Sequence, residues 1–273
     1  MGVVTKIEWC HHTFNPWWGC TQVNPLCDHC YAMMLDARWF KRAHWGPNAA
    51  RRYFRDEYWA QPLEWDRRGG AASSRRRVFC ASMADVFDNN ADPAVRNRLW
   101  GLIRQTPNLD WLLLTKRSGN ASKMLPADWG DGYPNVWLIV SVDQTALDRD
   151  VPKLASIPAV VHGLSIEPQL APVRLGDFAG LLQWVINGGE SGVGSRTFHL
   201  EWARSLAGEC KRAGIPIFIQ RLGSKPHDRG IPLRLKDHAG RNWGEWPVDL
   251  RVREFPQAVT DRYRSISKSP FAP

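Results

Sequence analysis

The cysteine loop reads GCTQVNPLCDHCY over residues 19–31. Its three cysteines, Cys20, Cys27 and Cys30, have the spacing C-x6-C-x2-C. The preceding residues 14–18, FNPWW, favour a short strand or a tight turn, and residues 31–38 favour a helix. Three thiolates on a loop between a strand and a helix can ligate three irons of a cubane cluster and leave the fourth iron open. The loop therefore predicts a metal site with these three cysteines as ligands.

Two other interpretations of the cysteine loop stay open. A structural zinc site would need a fourth ligand, and Cys10, His11, His12 and His29 are all close enough in sequence to supply it. A disulfide framework is less favoured, because 273 residues suffice to bury a core and residues 1–10 lack the apolar segment of a secretion signal.

The composition predicts a cytoplasmic protein with an acidic partner. The chain contains no run of eighteen apolar residues, so no membrane span is expected. The formal net charge is +9, which favours nucleic acid as the partner. Most of the fifteen tryptophans are expected to pack in the core, and a few to stack on bases.

A basic insert covers residues 41–77, where ten Lys and Arg face four Asp and Glu. It thus holds a net +6 of the total charge. One interpretation is a solvated helical excursion with its aromatic side chains tucked beneath it. The other is a phosphate-binding arm on which Tyr53, Tyr58 or Trp59 stacks against bases. In the second case the candidate nucleic-acid contacts are Arg51, Arg52, Arg55, Arg75, Arg76 and Arg77.

Apolar runs alternate with helical patterns from residue 77 to residue 220. The runs are short and continuous, as in parallel strands that are buried on both faces. Strands are predicted at 77–83, 110–115, 136–142, 159–166, 181–187 and 215–220, and helices at 93–105, 118–125, 146–155 and 200–213. With a strand before Cys20, the pattern predicts an α/β fold, a partial (β/α) TIM-like barrel of about six to seven parallel strands.

One domain is expected to cover residues 1–256, followed by a C-terminal tail at 257–273. Within it, residues 225–241 are polar and predict a flexible loop, and residues 243–256 predict an edge element. Cys80 and Cys210 fall inside a predicted strand and a predicted helix, so both are expected to be buried packing residues.

Polar side chains follow the predicted strands. Because functional sites form at the C-terminal ends of parallel strands, these groups are expected to share one mouth. Ser82 and Asp85 are more simply explained as helix caps. Glu167 and Glu190 have no capping role, and they are the candidate catalytic residues. The candidate cofactor-binding residues are Ser82, Asp85, Ser141, Asp143, Gln144, Ser165, Gly188, Gly189, Glu190 and Arg196.

These motifs resemble the radical S-adenosylmethionine (SAM) superfamily, whose usual motif is C-x3-C-x2-C with an aromatic residue before the last cysteine. Here the first gap is six residues, and His29 holds the aromatic position. More closely, NPWWGC (15–20), CDHCYA (27–32) and GGESG (188–192) resemble a three-cysteine family of phages and bacteria whose function is undefined. That resemblance extends from about Trp9 to Pro256.

The resemblance implies a radical SAM-like barrel, a 4Fe-4S cluster on the three cysteines, SAM at the open iron and a reductant protein. Gly188-Gly189-Glu190 spells the superfamily's motif for the methionine amino group, but it follows about the sixth strand instead of the second. By position, residues 82–85 would take that role, and Ser141 and Asp143 would contact the ribose.

We therefore expect an enzyme that cleaves SAM to a 5′-deoxyadenosyl radical and acts on nucleic acid or a nucleotide-containing substrate, in repair or modification. The alternative is a non-catalytic nucleic-acid-binding protein whose cysteine loop holds structural zinc.

Overall fold

A parallel seven-stranded sheet is the framework of the computed structural model, which describes residues 5–69 and 75–256. The strands are β1 His12–Thr13, β2 Arg76–Cys80, β3 Leu109–Thr115, β4 Val136–Ser141, β5 Val161–Ile166, β6 Trp184–Gly188 and β7 Ile217–Arg221. They pair in chain order, and every neighbouring pair is parallel. The predicted α/β fold is confirmed, and the predicted tail lies outside the described residues.

Helices connect the strands on the outer face of the sheet. They are α1 Tyr31–Phe40, α2 Asp56–Trp59, α3 Gln61–Gly69, α4 Pro93–Gln105, α5 Ser118–Met124, α6 Gln144–Ala155 and α7 Leu200–Ala213, with a 3-10 helix at Gly176–Leu181. The bounds of α4 and α7 match the prediction. The Asp92 side chain accepts a hydrogen bond from Ala94 N before α4, and Gly214 ends α7 with φ of 68°. None of the helices in the described segments is long and apolar enough to cross a membrane.

The sheet curls so that its interior side chains meet. The Trp9 ring, just before β1, lies 4.7 Å from Phe79 of β2 and 6.2 Å from Trp184 of β6. Gln220 Nε2 of β7 donates a hydrogen bond to Glu8 Oε2 at 2.5 Å. Since β1 and β7 are the two edges of the sheet, the curl is an open partial barrel.

Alternate residues of β4 face opposite sides of the sheet. The residues that pack under the helices are Val136, Leu138 and Val140. Trp137 and Ile139 pack inside the barrel with Trp9 and Trp184, and Ser141 continues the same inward series. Aromatic rings thus fill the barrel, and the inward positions become polar where the strands end.

Short elements differ from the prediction. The main sheet takes His12–Thr13 as its first strand, whereas Trp17–Trp18 pairs with Arg52–Tyr53 in a separate two-stranded sheet. Pro16 lacks an amide hydrogen and separates the two.

Residues 225–241 are more ordered than expected. They contain the strands Pro226–Asp228 and Ile231–Pro232, which pair with each other, and the first of them also pairs with Phe198–His199. An ion pair between Arg204 and Asp228 at 2.6 Å holds the segment to α7. The edge element predicted for residues 243–256 is confirmed by an antiparallel bridge between Phe218 and Arg253.

Candidate active site

A cavity of about 550 Å³ opens at the C-terminal ends of the strands, beneath the cysteine loop. All three cysteines of the loop line it. Of the other predicted site residues, those in its wall are Ser82, Asp85, Ser141, Ser165, Glu167, Gly189 and Glu190. Those outside its wall are Asp143, Gln144, Gly188 and Arg196. The strand ends therefore share one mouth, as expected.

The three cysteine thiols of the loop are free. Cys27 ends a 3-10 turn that Asn24 caps, and Cys30 immediately precedes α1. Burial raises the pKa of Cys20 to about 12. Its thiol is therefore protonated at neutral pH, and binding a metal there would release a proton.

The three thiols share one wall of the cavity. Among residues 5–69 and 75–256, no three His, Cys, Asp or Glu side chains are grouped as ligands of a single metal ion. Cysteine thiols are the donors that iron–sulfur clusters use, and a closed zinc site would require a fourth ligand beside these three.

Most candidates for a fourth ligand are engaged elsewhere. Cys10 is buried outside the cavity wall, and its thiol donates to Ile7 O at 3.7 Å. His11 Nδ1 accepts from Arg77 N, and the His12 ring stacks on Trp65 with centroids 4.3 Å apart. Of the four candidates, only His29 lies in the cavity wall. Cys80 and Cys210 are buried, as predicted.

Glu190 fastens the cysteine loop to the end of β6. Its carboxylate accepts hydrogen bonds from Arg196 N at 2.8 Å and Arg196 Nη2 at 2.6 Å, and His29 Nδ1 lies 2.8 Å from Oε2. Arg196 Nη1 then donates to Pro25 O at 3.0 Å. Burial alone would raise the pKa of Glu190, but the hydrogen bonds from Arg196 and His29 outweigh it and lower the pKa to about 2. A carboxylate so occupied is well placed to hold the loop, and the catalytic role of Glu190 stays a prediction.

Arg51 fastens the other end of the loop. Its buried guanidinium donates to Asp88 Oδ2 at 2.7 Å and to Thr21 Oγ1 at 2.9 Å. It also donates to three main-chain carbonyls, those of His44, Gly46 and Ala49. Gly19 is required beside it, because its φ is +113° and a Cβ there would lie 2.3 Å from His44 O.

Close packing between β6 and β7 explains why glycines occupy positions 188 and 189. A Cβ at Gly189 would lie 2.4 Å from Leu222 O, where the chain leaves β7. Gly189 N donates to Arg221 O at 2.9 Å, which keeps the two segments in contact. The glycines thus allow β6 and β7 to approach closely, and they place Glu190 against the loop.

Several other candidates are structural. Asp143 Oδ1 accepts from Thr145 N and Ala146 N as the N-cap of α6. Gln144 Oε1 accepts from Arg174 N at 2.7 Å. Neither of these two residues is in the cavity wall, and their predicted cofactor contacts stay predictions. Asp85 lies in the wall, but its carboxylate accepts from Thr115 Oγ1 at 2.8 Å and from Lys116 N at 3.0 Å.

The remaining polar residues of the wall are largely buried, and some of their atoms have no partner. Ser141 and Ser165 are register partners on β4 and β5, and both are buried. The Ser141 hydroxyl has no hydrogen-bond partner among the described residues, and neither does Arg117 Nη1. Glu167 Oε1 lies 3.2 Å from Arg221 Nε, and burial raises the pKa of Glu167 although Arg221 opposes the shift.

The predicted arginines do not form one surface. Arg51 is buried and fully engaged, which corrects its assignment as a phosphate contact. Arg75, Arg76 and Arg77 lie at the N-terminal end of β2, a strand length away from the cavity. Arg75 Nε donates to Asp110 Oδ1 at 2.6 Å, and the Arg77 guanidinium covers Phe255.

Two aromatic rings of the basic insert, those of Tyr58 and Trp59, pack inward. Trp59 is buried, and Tyr58 stacks on Phe14 with centroids 5.0 Å apart. The Tyr58 hydroxyl accepts from Asn15 N at 2.9 Å. Arg52 is flanked by rings, at 4.7 Å from the Phe40 centroid. Tyr58 and Trp59 therefore match the interpretation in which the aromatics are tucked beneath the insert, whereas Tyr53 is 41% exposed. The cavity residues that the sequence did not single out include Trp45 and Arg241.

Glu190→Gln is expected to lower the free energy of unfolding at pH 7 by about 1–2 kcal/mol after solvent screening. The folded-state pKa of Glu190 is depressed to about 2. Its contribution is therefore complete above the ordinary value of about 4.5 and is lost as the pH falls toward 2. Urea unfolding of both proteins between pH 7 and pH 3 checks this. A deficit that stays constant over that range would show that the carboxylate charge is not responsible.

A family model described as "Protein of unknown function (DUF5131)" matches residues 4–250. No curated protein matches the chain. A structure of a doubly substituted spore photoproduct lyase, with bound AdoMet and dinucleoside spore photoproduct, is similar, with a TM-score of 0.48 and 13% identity, over 80% of this chain and 78% of that one. A second structure of spore photoproduct lyase, complexed with dinucleoside spore photoproduct, has a TM-score of 0.41 and 13% identity, over 72% of this chain and 59% of that one.

Proposed function

The chain belongs to the DUF5131 family, whose function is unknown, and we propose that it is an iron–sulfur enzyme of the radical SAM type. One observation carries the proposal. Three free thiols with the spacing C-x6-C-x2-C share a cavity with unpaired polar groups at the mouth of a parallel partial barrel. A structural metal site needs neither a cavity of this size nor unpaired polar groups in the cavity wall.

Cys20, Cys27 and Cys30 would hold a 4Fe-4S cluster, and SAM would occupy the cavity. When bound, the reduced cluster would supply one electron for the cleavage of SAM to methionine and a 5′-deoxyadenosyl radical, the species that would abstract hydrogen from the substrate. The protein's part is to orient the reactants and to keep water away from them.

Wall residues match the polar groups of SAM. Glu167 and Arg221 place a carboxylate beside a guanidinium, the two charges that an amino acid's ammonium and carboxylate require. The Ser141 hydroxyl and the Arg117 guanidinium still have hydrogen-bond donors to give. Glu167 remains a candidate catalytic residue in this proposal, while Glu190 positions the loop.

The substrate we propose is nucleic acid or a molecule that contains a nucleotide. The net charge of +9 supports an acidic substrate. All cysteines in the described segments are unpaired, which supports the reducing cytoplasm as the location. A reductant protein would deliver the electron.

Anaerobic reconstitution tests the proposal. We expect a broad absorbance band near ~400 nm, about four irons per chain, and release of 5′-deoxyadenosine from SAM on reduction. A colourless protein that binds one zinc ion per chain would instead establish the structural alternative. A loaded cluster that does not bind SAM in calorimetry would rule out the enzyme as proposed.

Ser141→Ala is expected to weaken SAM binding about 10-fold, the effect of one lost hydrogen bond. Iron content should stay unchanged, because the hydroxyl lies on β4 and not on the cysteine loop. Calorimetry on the reconstituted protein measures the affinity. Asp143→Asn is the matched control, since that side chain caps α6 outside the cavity wall. Equal weakening by both substitutions would place SAM elsewhere.

A further inference from the structure

Helix α1 exposes an apolar face next to the cavity. Trp39 is 70% exposed, Tyr31 46%, Leu35 40% and Met34 39%. Their spacing puts them on one side of the helix together with Arg38, and we call these five residues the α1 face. The opposite side is buried at Ala32 and Asp36. A helix normally turns its apolar residues inward, so an exposed stripe of this kind indicates a binding surface.

The cations around the α1 face have no acidic partners. Arg38 lies on the face, and Lys41 and Arg42 follow it directly, all three exposed. Within the described residues none of the three forms an ion pair. The single acid of α1, Asp36, is buried, and its Oδ1 lies 2.8 Å from His44 Nδ1. The surface is therefore apolar and positive, and its complement is a partner with rings and negative charge.

The turn after α1 keeps its cations at a conformational cost. Lys41 has φ of 52° and Arg42 has φ of 63°. The left-handed region costs a non-glycine residue roughly 1 kcal/mol, and glycine is the usual residue at a helix C-terminus. Two long cationic side chains stand where glycine would be more stable, which indicates that the side chains themselves are used.

The α1 face begins at the cavity. Tyr31 lines the mouth, and its hydroxyl donates to Ser82 O at 2.5 Å while its ring is half-exposed. Trp39 lies eight residues further, about 12 Å along the helix. An extended ligand, such as a nucleic-acid strand, that lies along this face therefore passes the mouth of the cavity.

We propose that the α1 face, with Lys41 and Arg42, binds single-stranded nucleic acid and leads one nucleotide to the cavity. The inference rests on the proposed function and specifies its substrate class. Trp39 and Tyr31 supply rings on which bases stack, and the three cations neutralise phosphates. The strand is single because bases paired in a duplex do not offer their faces to such rings.

Binding of labelled single strands tests the inference on the full chain. We would titrate oligonucleotides of about 12 nucleotides, DNA and RNA, and follow fluorescence anisotropy at several salt concentrations. Trp39→Ala is expected to raise Kd about 5- to 150-fold, and Trp39→Phe to restore most of the affinity. Arg38→Ala/Arg42→Ala is expected to flatten the slope of log affinity against log salt by about 1.4.

Lys211→Ala/Arg212→Ala is the matched control. It removes the same charge from exposed residues in the last turn of α7, near the N-terminal ends of the strands. We expect its salt slope to equal that of the parent. Equal flattening by both double variants would overturn the inference, since the binding would then follow net charge alone.

Other outcomes would also overturn it. These are unchanged single-strand affinity in Trp39→Ala, equal affinity of the parent for duplex and single strands, or no binding at low salt. Dissociation of a dimer by Trp39→Ala without loss of oligonucleotide binding would assign the face to a second copy of the chain. The cluster is measured separately by iron content and SAM cleavage. A parent protein that has an active cluster but binds no oligonucleotide therefore contradicts only this inference, and a parent that binds oligonucleotide but holds no cluster contradicts only the proposed function.

Discussion

Alanine at any one of Cys20, Cys27 and Cys30 is expected to abolish iron–sulfur binding. Each thiolate would ligate a different iron, and no other cysteine lies in the wall of the cavity within the described residues. Iron and sulfide content after anaerobic reconstitution, together with the absorbance band near ~400 nm, measures the loss. The expected result is a colourless protein in all three cases.

Three further cysteines serve as controls for that experiment. Cys80→Ala and Cys210→Ala remove buried thiols in a strand and a helix, so the iron content should match that of the parent. Cys10→Ala is the decisive variant, because Cys10 was a candidate fourth ligand. If it removes the metal as completely as Cys20→Ala does, the site has four protein ligands and the open-iron mechanism loses its basis.

Arg51→Ala is expected to lower the free energy of unfolding by about 3–5 kcal/mol. Arg51 and Asp88 are both buried, with Nε 2.7 Å from Oδ2. Removing one member of a buried ion pair leaves the other charge without its main partner. Arg117 Nη2 is 3.7 Å from Asp88 Oδ1 and compensates only in part. Urea unfolding of the metal-free protein at pH 7 measures the loss.

Arg55→Ala is the matched control for Arg51→Ala. Arg55 belongs to the same basic run but is exposed, and substitutions at such sites typically change stability by less than about 0.5 kcal/mol. If Arg51→Ala costs no more than Arg55→Ala, then the buried pair does not stabilise the loop. Reconstituted Arg51→Ala should also retain less iron, because Arg51 Nη2 holds Thr21 beside Cys20.

The long elements of the fold were predictable from local pattern. The strands β3 and β4 are mostly apolar runs, and α4 and α7 have capping residues that mark their ends. The short elements were not. His12–Thr13 and Arg52–Tyr53 are two residues long and have no periodicity, so their pairing depends on segments far away in the chain.

The site was predictable where it depends on strand direction. Ser141 and Ser165 lie in the last residues of their strands and Glu167 follows β5, and parallel strands end at the same edge of a sheet. The roles of Arg51 and Glu190 were not predictable. Arg51 looks like its neighbours in a basic run, and only its burial distinguishes it. The partner of Glu190 is His29, 161 residues away along the chain.

The hydrogen bonds that hold the cysteine loop join residues far apart in the chain, and this fixes the order in which they can form during synthesis. All three cysteines precede Arg117 and Arg196 in the chain. Arg117 Nη2 donates to Thr21 O across 96 residues, and Arg196 Nη1 donates to Pro25 O across 171. A nascent chain therefore carries the three thiols long before the parts that shape them have left the ribosome. Contacts of such sequence separation form late, after the loop entropy of the intervening chain has been overcome. Under the proposed function, cofactor loading would therefore follow folding, and thiols exposed in the meantime would need protection from oxidation.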